Sequence, residues 1–184
     1  HLSRTDRKPM AIITTNRAQT SEADVLGLLV DHLRARFGIG ESNCFDVIEP
    51  VTKRLNQSGD FWLTVYPGGS EADLETQTGG GRNVIWEMCD FVITAYTRIK
   101  LDRTNPDTKM LRDPTRGILS IKQRVMSAMT MAELSVDLSS VLIQPPLYIG
   151  SDRAFFDKDE SVASKSLTFR LGFSNRLTAE GARA

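Results

Sequence analysis

A run of three glycines is the first feature of this chain that could carry chemistry. Gly79, Gly80 and Gly81 are followed directly by Arg82. Main-chain amides without side chains can turn toward a phosphate, but a phosphate-binding loop joins a strand to a helix and continues with a lysine and a hydroxyl residue. Here the pattern that follows is typical of a strand. We therefore interpret the glycines as part of a hinge or hairpin loop, and we predict neither a nucleotide nor any other cofactor.

Acid and base side chains are the second group. The chain has two histidines, His1 at its start and His32 on a predicted helix surface, so histidine catalysis has little support. Carboxylates in predicted loops could gather around a divalent cation or a glycosidic bond. Because loops of most soluble proteins are acidic, we interpret them as solvated and predict no enzyme and no metal site. These carboxylates are Asp102, Asp107, Asp113, Asp157, Asp159 and Glu160.

The two cysteines, Cys44 and Cys89, lie in different predicted settings. Neither has a second Cys or a His at metal-ligand spacing. Free cysteine is among the most buried residue types, so we expect two buried thiols, with a disulfide between them as the alternative.

Charge excludes a general attraction to polyanions. Lys plus Arg and Asp plus Glu both number 23, which gives a formal net charge of +0. Three carboxylates, Glu71, Asp73 and Glu75, are nevertheless concentrated in one segment. They form either a solvated loop tip or a negative surface in a subunit contact or channel, where they would keep passing DNA from adhering. No apolar run approaches the ~20 residues of a membrane span, so we predict no membrane contact.

The longest irregular segment leads directly into the longest strand pattern. Pro67 to Arg82 is predicted to be a loop of roughly sixteen residues, whereas connections in compact domains are usually ~4 to 6 residues long. It runs into a predicted strand from Val84 to Ile99, both faces of which carry apolar residues. A sheet with one solvated face would show cleaner alternation. We therefore expect helices on one face of this strand and either loops or a neighbouring subunit on the other.

Two amphipathic helices are predicted. The first begins with a cap at Ser21 and ends at Phe37 before two glycines. The second is expected to begin at Asp113, which is followed by a proline, and to end near Leu134.

Three further strands are predicted around these helices. Phe61 to Tyr66 is aromatic and β-branched, and Phe45 to Leu55 contains a proline that favours an edge strand or an irregular segment. Leu167 to Ser174 is apolar on one side, and the charged segment Ser151 to Lys165 before it is expected to be a loop.

This order of elements predicts the α+β class. We expect a single antiparallel or mixed β-sheet with two main helices packed on one face and a long Gly-rich loop. Residues 1–19 are expected to form an N-terminal arm, 20–177 a single domain, and 178–184 a flexible C-terminal tail.

Over residues 20 to 177 the chain resembles the tail-terminator and tail-completion proteins of long-tailed bacteriophages, together with the head-tail joining proteins similar to them. The resemblance rests on the two helices, on Val65-Tyr66-Pro67-Gly68-Gly69, on Gly79-Gly80-Gly81-Arg82 before a long strand, on Leu101-Asp102-Arg103 and on Leu167-Thr168-Phe169-Arg170-Leu171-Gly172-Phe173.

The resemblance implies a subunit that forms a ring, usually hexameric, at the head-proximal end of the tail tube. Such a ring stops tube growth and joins the tail to the neck. Its partners would be copies of itself, the tail-tube protein, a neck or connector protein, and DNA that passes through a central channel without sequence-specific binding. Its location would be the virion, and the host cytoplasm during assembly.

For this role the predicted loop and the long strand are the main contact candidates. Their residues are Glu71, Asp73, Glu75, Gly79, Gly80, Gly81 and Arg82, with Arg98, Asp102 and Arg103 as polar partners. Two alternatives stay open: a small metal-dependent hydrolase or nuclease that uses loop carboxylates, and a monomeric adaptor that binds a partner by strand addition near Phe45 to Leu55.

Overall fold

The computed structural model describes residues 20–48, 61–72, 84–98, 111–157 and 162–176, so the predicted arm and tail lie outside the described residues. Its elements, in chain order, are α1 Glu22–Phe37, β1 Cys44–Asp46, β2 Phe61–Ala72, β3 Val84–Thr97, α2 Ile118–Ala128, α3 Val136–Val141, β4 Leu147–Ser151, β5 Phe155–Asp157 and β6 Val162–Arg176.

The six strands form one mixed sheet in the order β1-β2-β3-β6-β4, and β5 also pairs with β6. The β1–β2 pair is parallel, and every other pair is antiparallel. The helices pack on one face of this sheet, so the predicted α+β class is confirmed. Among the described residues, no helix is long and apolar enough to cross a membrane.

Helix α1 has the ends that its sequence predicts. The Ser21 hydroxyl accepts a hydrogen bond from the Asp24 amide at 3.2 Å, and the Asp24 carboxylate accepts one from the Ser21 amide at 2.9 Å. This reciprocal pair satisfies two amides that the first helical turn leaves without partners. Gly38, with a φ of 62°, ends the helix in the left-handed conformation that glycine adopts without strain.

The second predicted helix has different bounds, and the prediction that it begins at Asp113 is wrong. The Asp113 carboxylate instead closes a turn, accepting from the amides of Thr115 at 2.9 Å and Arg116 at 2.8 Å. A Cβ at Gly117 would lie 2.5 Å from the Asp113 nitrogen, so this turn requires glycine before α2 begins. The helix ends at Ala128 rather than near Leu134, and Ser135 caps the separate helix α3.

Strand β2 does not stop at the Pro-Gly-Gly sequence, so the predicted loop from Pro67 to Arg82 is wrong in its first part. The strand continues to Ala72 because the β2–β3 register shifts between Pro67 and Ser70. Such a bulge tolerates proline and glycine within a strand. Gly68 passes so close to β3 that a Cβ there would lie 3.1 Å from the Asp90 carbonyl oxygen. Residues 73–83 lie outside the described residues.

Strand β3 confirms the long strand prediction, although it ends at Thr97 rather than Ile99. Strand β6 is longer than predicted, with 15 residues, and pairs with β3 from Val84↔Arg176 to Thr97↔Ala163. The prediction that Ser151 to Lys165 is a loop is therefore wrong, since β5 and the first residues of β6 lie within it.

The two faces of the sheet differ. The helix face, which carries Phe91 of β3 and Phe169 of β6, packs against the three helices in one apolar core. The opposite face, called here the second face, carries an aromatic pair in which Trp62 stacks on Tyr96 with ring centroids 5.2 Å apart. Helices thus cover one face of β3, as predicted.

Candidate assembly surfaces

His32 lies inside the helical layer, so the prediction that it is a surface residue is wrong. Its side chain is only 2% exposed. The Ser135 amide donates to Nδ1 at 3.3 Å, so Nε2 carries the proton and donates to the Ala128 carbonyl at 2.9 Å. Burial lowers the pKa of this imidazole, and the nearby Arg36 guanidinium lowers it further. His32 therefore joins α1 to the end of α2 and the start of α3 as a neutral group.

An ion pair crosses the second face of the sheet. Arg170 of β6 holds Asp90 of β3 through two hydrogen bonds, from Nε at 2.7 Å and from a terminal nitrogen at 3.0 Å. The two residues are direct cross-strand partners. Hydrogen bonding to Asp90 raises the pKa of Arg170. This forked geometry fixes the register of the two central strands on the second face.

Two of the predicted contact residues are described, and they are far apart. Glu71 is exposed near the end of β2, with a carboxylate oxygen 3.9 Å from the Arg170 guanidinium. Arg98 follows β3, with its guanidinium carbon 5.8 Å from the centre of the Trp62 ring. Glu71 is level with Met88, so the two lie about 33 Å apart along β3 at ~3.3 Å per residue and form no single site. The others, Asp73, Glu75, Gly79, Gly80, Gly81, Arg82, Asp102 and Arg103, lie outside the described residues.

A group of exposed apolar side chains on two short strands was not predicted from the sequence. Strands β4 and β5 lie along the outer side of β6, and we call them the β4–β5 edge. Within the described ranges, no further strand pairs with this edge. It exposes five large apolar side chains, namely Leu147 at 54%, Tyr148 at 36%, Ile149 at 47%, Phe155 at 56% and Phe156 at 36%. The runs Leu147-Tyr148-Ile149 and Phe155-Phe156 were the available sequence signal. Exposed apolar patches of this kind mark interaction sites.

The opposite edge of the sheet is β1, which is closed at Cys44, its first residue. The Cys44 amide donates to the Gly40 carbonyl at 3.1 Å, and the Cys44 carbonyl accepts from Nε of Arg34 at 2.9 Å. Both main-chain groups of Cys44 are therefore used within the chain. The predicted edge strand is confirmed for Phe45 and Asp46, although β1 begins one residue earlier, and residues 49–60 lie outside the described residues.

Both cysteines are buried in the folded chain. Cys44 and Cys89 are both free and buried, as predicted, and burial raises the pKa of each thiol to about 12. Within the described ranges, no three His, Cys, Asp or Glu side chains are grouped as a metal ion would require.

No protein-family model and no curated protein matches this chain. Among solved structures, the fold is similar to the sheath/tube terminator of an extracellular contractile injection system, PVC, in its extended state. The TM-score is 0.51 at 12% sequence identity, and the match covers 88% of this chain and 58% of that chain. This chain thus spans less than two thirds of the length of that terminator. At this identity the likeness establishes a shared fold, one that a sheath/tube terminator also adopts.

Proposed function

We propose that this chain is a structural subunit that forms a ring at the head-proximal end of a phage-type tail tube. The observation that carries the proposal is the fold shared with a sheath/tube terminator, a protein of a related kind of tail. The β4–β5 edge supports it, because a ring subunit needs an exposed surface that a neighbour can cover.

On this proposal the protein is not an enzyme. The subunit binds copies of itself, with six as the expected number, and contacts the tail-tube protein and a neck or connector protein. DNA passes through the central channel without sequence-specific binding. The protein acts in the virion after assembly in the host cytoplasm.

The proposed ring also gives a role to the acidic segment that contains Glu71, Asp73 and Glu75. Glu71 is exposed near the end of β2, immediately before the segment with Asp73 and Glu75. We assign these carboxylates to a subunit contact or to the channel wall, where negative charge repels DNA. Gly79, Gly80, Gly81 and Arg82 complete that contact. Because Arg98 lies at the other end of β3 from Glu71, we propose Arg98, Asp102 and Arg103 as polar partners supplied by the neighbouring subunit.

A second candidate, the monomeric adaptor, is favoured by one observation. The β4–β5 edge could take up a strand from another protein. Of the segment Phe45 to Leu55 named for this role in the sequence analysis, residues 49–55 lie outside the described residues. The two candidates differ in mass, since an adaptor stays monomeric at micromolar concentration.

Electron microscopy and mass measurement of the purified full chain test the proposal. We expect annuli of uniform diameter with a central hole, either alone or at the ends of added tail-tube assemblies. A chain that stays monomeric at all concentrations and never caps tube ends would contradict the ring and favour the adaptor.

A further inference from the structure

A small pocket lies between the C-terminal ends of α1 and α2. Its volume is about 170 Å³, and it is lined by Arg36, Phe37, Arg124, Ser127 and Ala128. Pockets for whole small molecules usually measure ~300 to 1,000 Å³. This pocket is therefore of a size for one side chain or one small ion. Two of its lining side chains carry guanidinium groups, whose N–H groups donate to oxyanions.

The two arginines of this pocket differ in their partners. Arg36 forms an ion pair with Glu133. Arg124 instead lies over aromatic rings, with its guanidinium carbon 4.4 Å from the centre of the Phe37 ring and 5.8 Å from that of the Phe61 ring. Among the residues that the structure describes, no carboxylate forms an ion pair with Arg124. Two guanidinium groups and one carboxylate therefore leave one positive charge in excess at this pocket.

The aromatic rings leave the donors of Arg124 available. A guanidinium that packs on a ring uses its face, while its N–H groups point outward in its own plane. Packing on the rings also restricts this side chain before a ligand arrives, which lowers the entropy cost of binding. Ser127 follows Arg124 by three residues on α2, so its hydroxyl lies on the same side of the helix. The two exposed side chains thus present N–H and O–H donors to one space.

The carbonyl groups at the end of α2 have partners within the chain. The Ala128 carbonyl accepts from Nε2 of His32 at 2.9 Å. The Ser127 carbonyl accepts from the amide of Thr130 at 3.1 Å and from its hydroxyl at 2.9 Å. The negative potential of a helix C-terminus arises from carbonyl groups without partners. These hydrogen bonds weaken that potential, so the positive charge of the pocket remains available to an anion.

We propose that this pocket binds a carboxylate side chain, aspartate or glutamate, of a partner protein. A carboxylate carries one negative charge, which matches the single excess positive charge, whereas a phosphate group carries roughly 1.5 to 2. Arg124 donates to the carboxylate oxygens, and Ser127 supplies a further donor. Phe37 and Ala128 provide apolar surface for the methylene groups of such a side chain. The proposal concerns a single subunit and does not depend on the proposed ring.

A nuclear magnetic resonance titration of the full chain with two short peptides tests the proposal. The probes are acetyl-Gly-Glu-Gly-amide and its neutral match, acetyl-Gly-Gln-Gly-amide. We expect the glutamate peptide to shift the Nε signal of Arg124 and the amide signal of Ser127 at millimolar concentration, because its carboxylate accepts their hydrogen bonds. The glutamine peptide should leave both signals unchanged. No shift with the glutamate peptide, or equal shifts with both peptides, would overturn the proposal.

Two variants separate a specific site from a general attraction between charges. Arg124→Lys keeps the positive charge but lacks the planar fork, so it should weaken binding of the glutamate peptide by roughly tenfold. Lys122→Gln removes a charge from the same helix outside the pocket and should bind as the unaltered chain does. Equal weakening in the two variants would overturn the proposal. Circular dichroism verifies that both variants are folded.

Inorganic phosphate tests the choice of a carboxylate. We expect phosphate to bind no more tightly than the glutamate peptide. Phosphate that shifts the same two signals at a much lower concentration than the peptide would overturn the assignment to a carboxylate. None of these outcomes bears on whether annuli form, so a failure here leaves the proposed ring in place.

Discussion

The two edges of the sheet differ in what each is shown to offer a partner. At the β1 edge, α1 supplies Arg34 to bond the Cys44 carbonyl, and the strand has only 3 residues. At the β4–β5 edge, Leu147 and Phe155 are more than half exposed. Natural sheets usually protect exposed edges against pairing with other chains.

This difference indicates where a partner binds. An edge that is closed within the subunit needs no neighbour, whereas an apolar edge left open is stabilised when another chain covers it. We therefore expect the β1 edge to contribute to the subunit's own stability and the β4–β5 edge to serve the proposed assembly.

The largest expected effect is loss of assembly on charging the open edge. The double variant Leu147→Asp/Phe155→Asp should remain folded and fail to form annuli, because two carboxylates would be buried in an apolar contact without partners. Mass measurement reports assembly, and circular dichroism reports whether the variant is folded. Ile48→Asp is the matched control, since Ile48 is 93% exposed next to β1 and its replacement should leave assembly unchanged. Equal loss of assembly in both variants would contradict the proposed difference between the two edges.

Removing the arginine that closes β1 should cost stability instead. Arg34→Ala deletes a charged hydrogen bond to the Cys44 carbonyl, and such bonds contribute roughly 1.5 to 3 kcal/mol. Denaturant unfolding should show a decrease of that order in the free energy of unfolding. Arg36→Ala is the control, because the exposed Arg36 pairs with Glu133 and should contribute less. A larger loss of stability from the control variant would count against the closed edge.

Acidification should weaken the helical layer next to the β1 edge. The pKa of His32 is lowered in the folded chain, so its contribution to stability is fully present above about pH 6.5 and is lost as the pH falls below that value. Protonation also removes the Nδ1 acceptor of the Ser135 amide. Unfolding measured from pH 7.5 to 5 should show this decline, and His32→Gln should flatten it. An identical pH dependence in the variant would assign the decline to other groups.

The smallest expected effect is thiol reactivity at the β1 edge. Cys44 is buried and its thiol pKa is raised to about 12, so a thiol reagent at pH 8 should leave the native chain unmodified. Val136→Cys provides a reactive control, because Val136 is 81% exposed on α3. Rapid modification of Cys44 would show that β1 opens readily and would weaken the contrast between the two edges.

The sequence correctly predicted the elements that depend on residues adjacent in the chain. The Ser21 and Asp24 cap, the Gly38 ending and the strand-forming residues of β3 each provide a signal within a short stretch of sequence. The α+β class followed because the strands are not separated by regular helices.

The wrong predictions concern features that depend on residues distant in the sequence. Pro67, Gly68 and Gly69 indicate the end of a strand. Strand β2 nevertheless continues beyond them, because its pairing with β3 resumes after a bulge. Strands β4 and β5 are too short to show a period of two and exist because β6 pairs with them. His32 looked like a surface residue because its partners, Ala128 and Ser135, lie about a hundred positions away.

Strand β6 has a consequence for synthesis of the protein on the ribosome. It is the last of the described strands, and it joins β3 on one side to β4 and β5 on the other. Until β6 leaves the ribosome, β3 and β4 of the nascent polypeptide lack the strand that pairs with both of them. The surface offered by β4 and β5 therefore exists only in a subunit whose translation has passed β6, so incomplete polypeptides cannot enter an assembly through it.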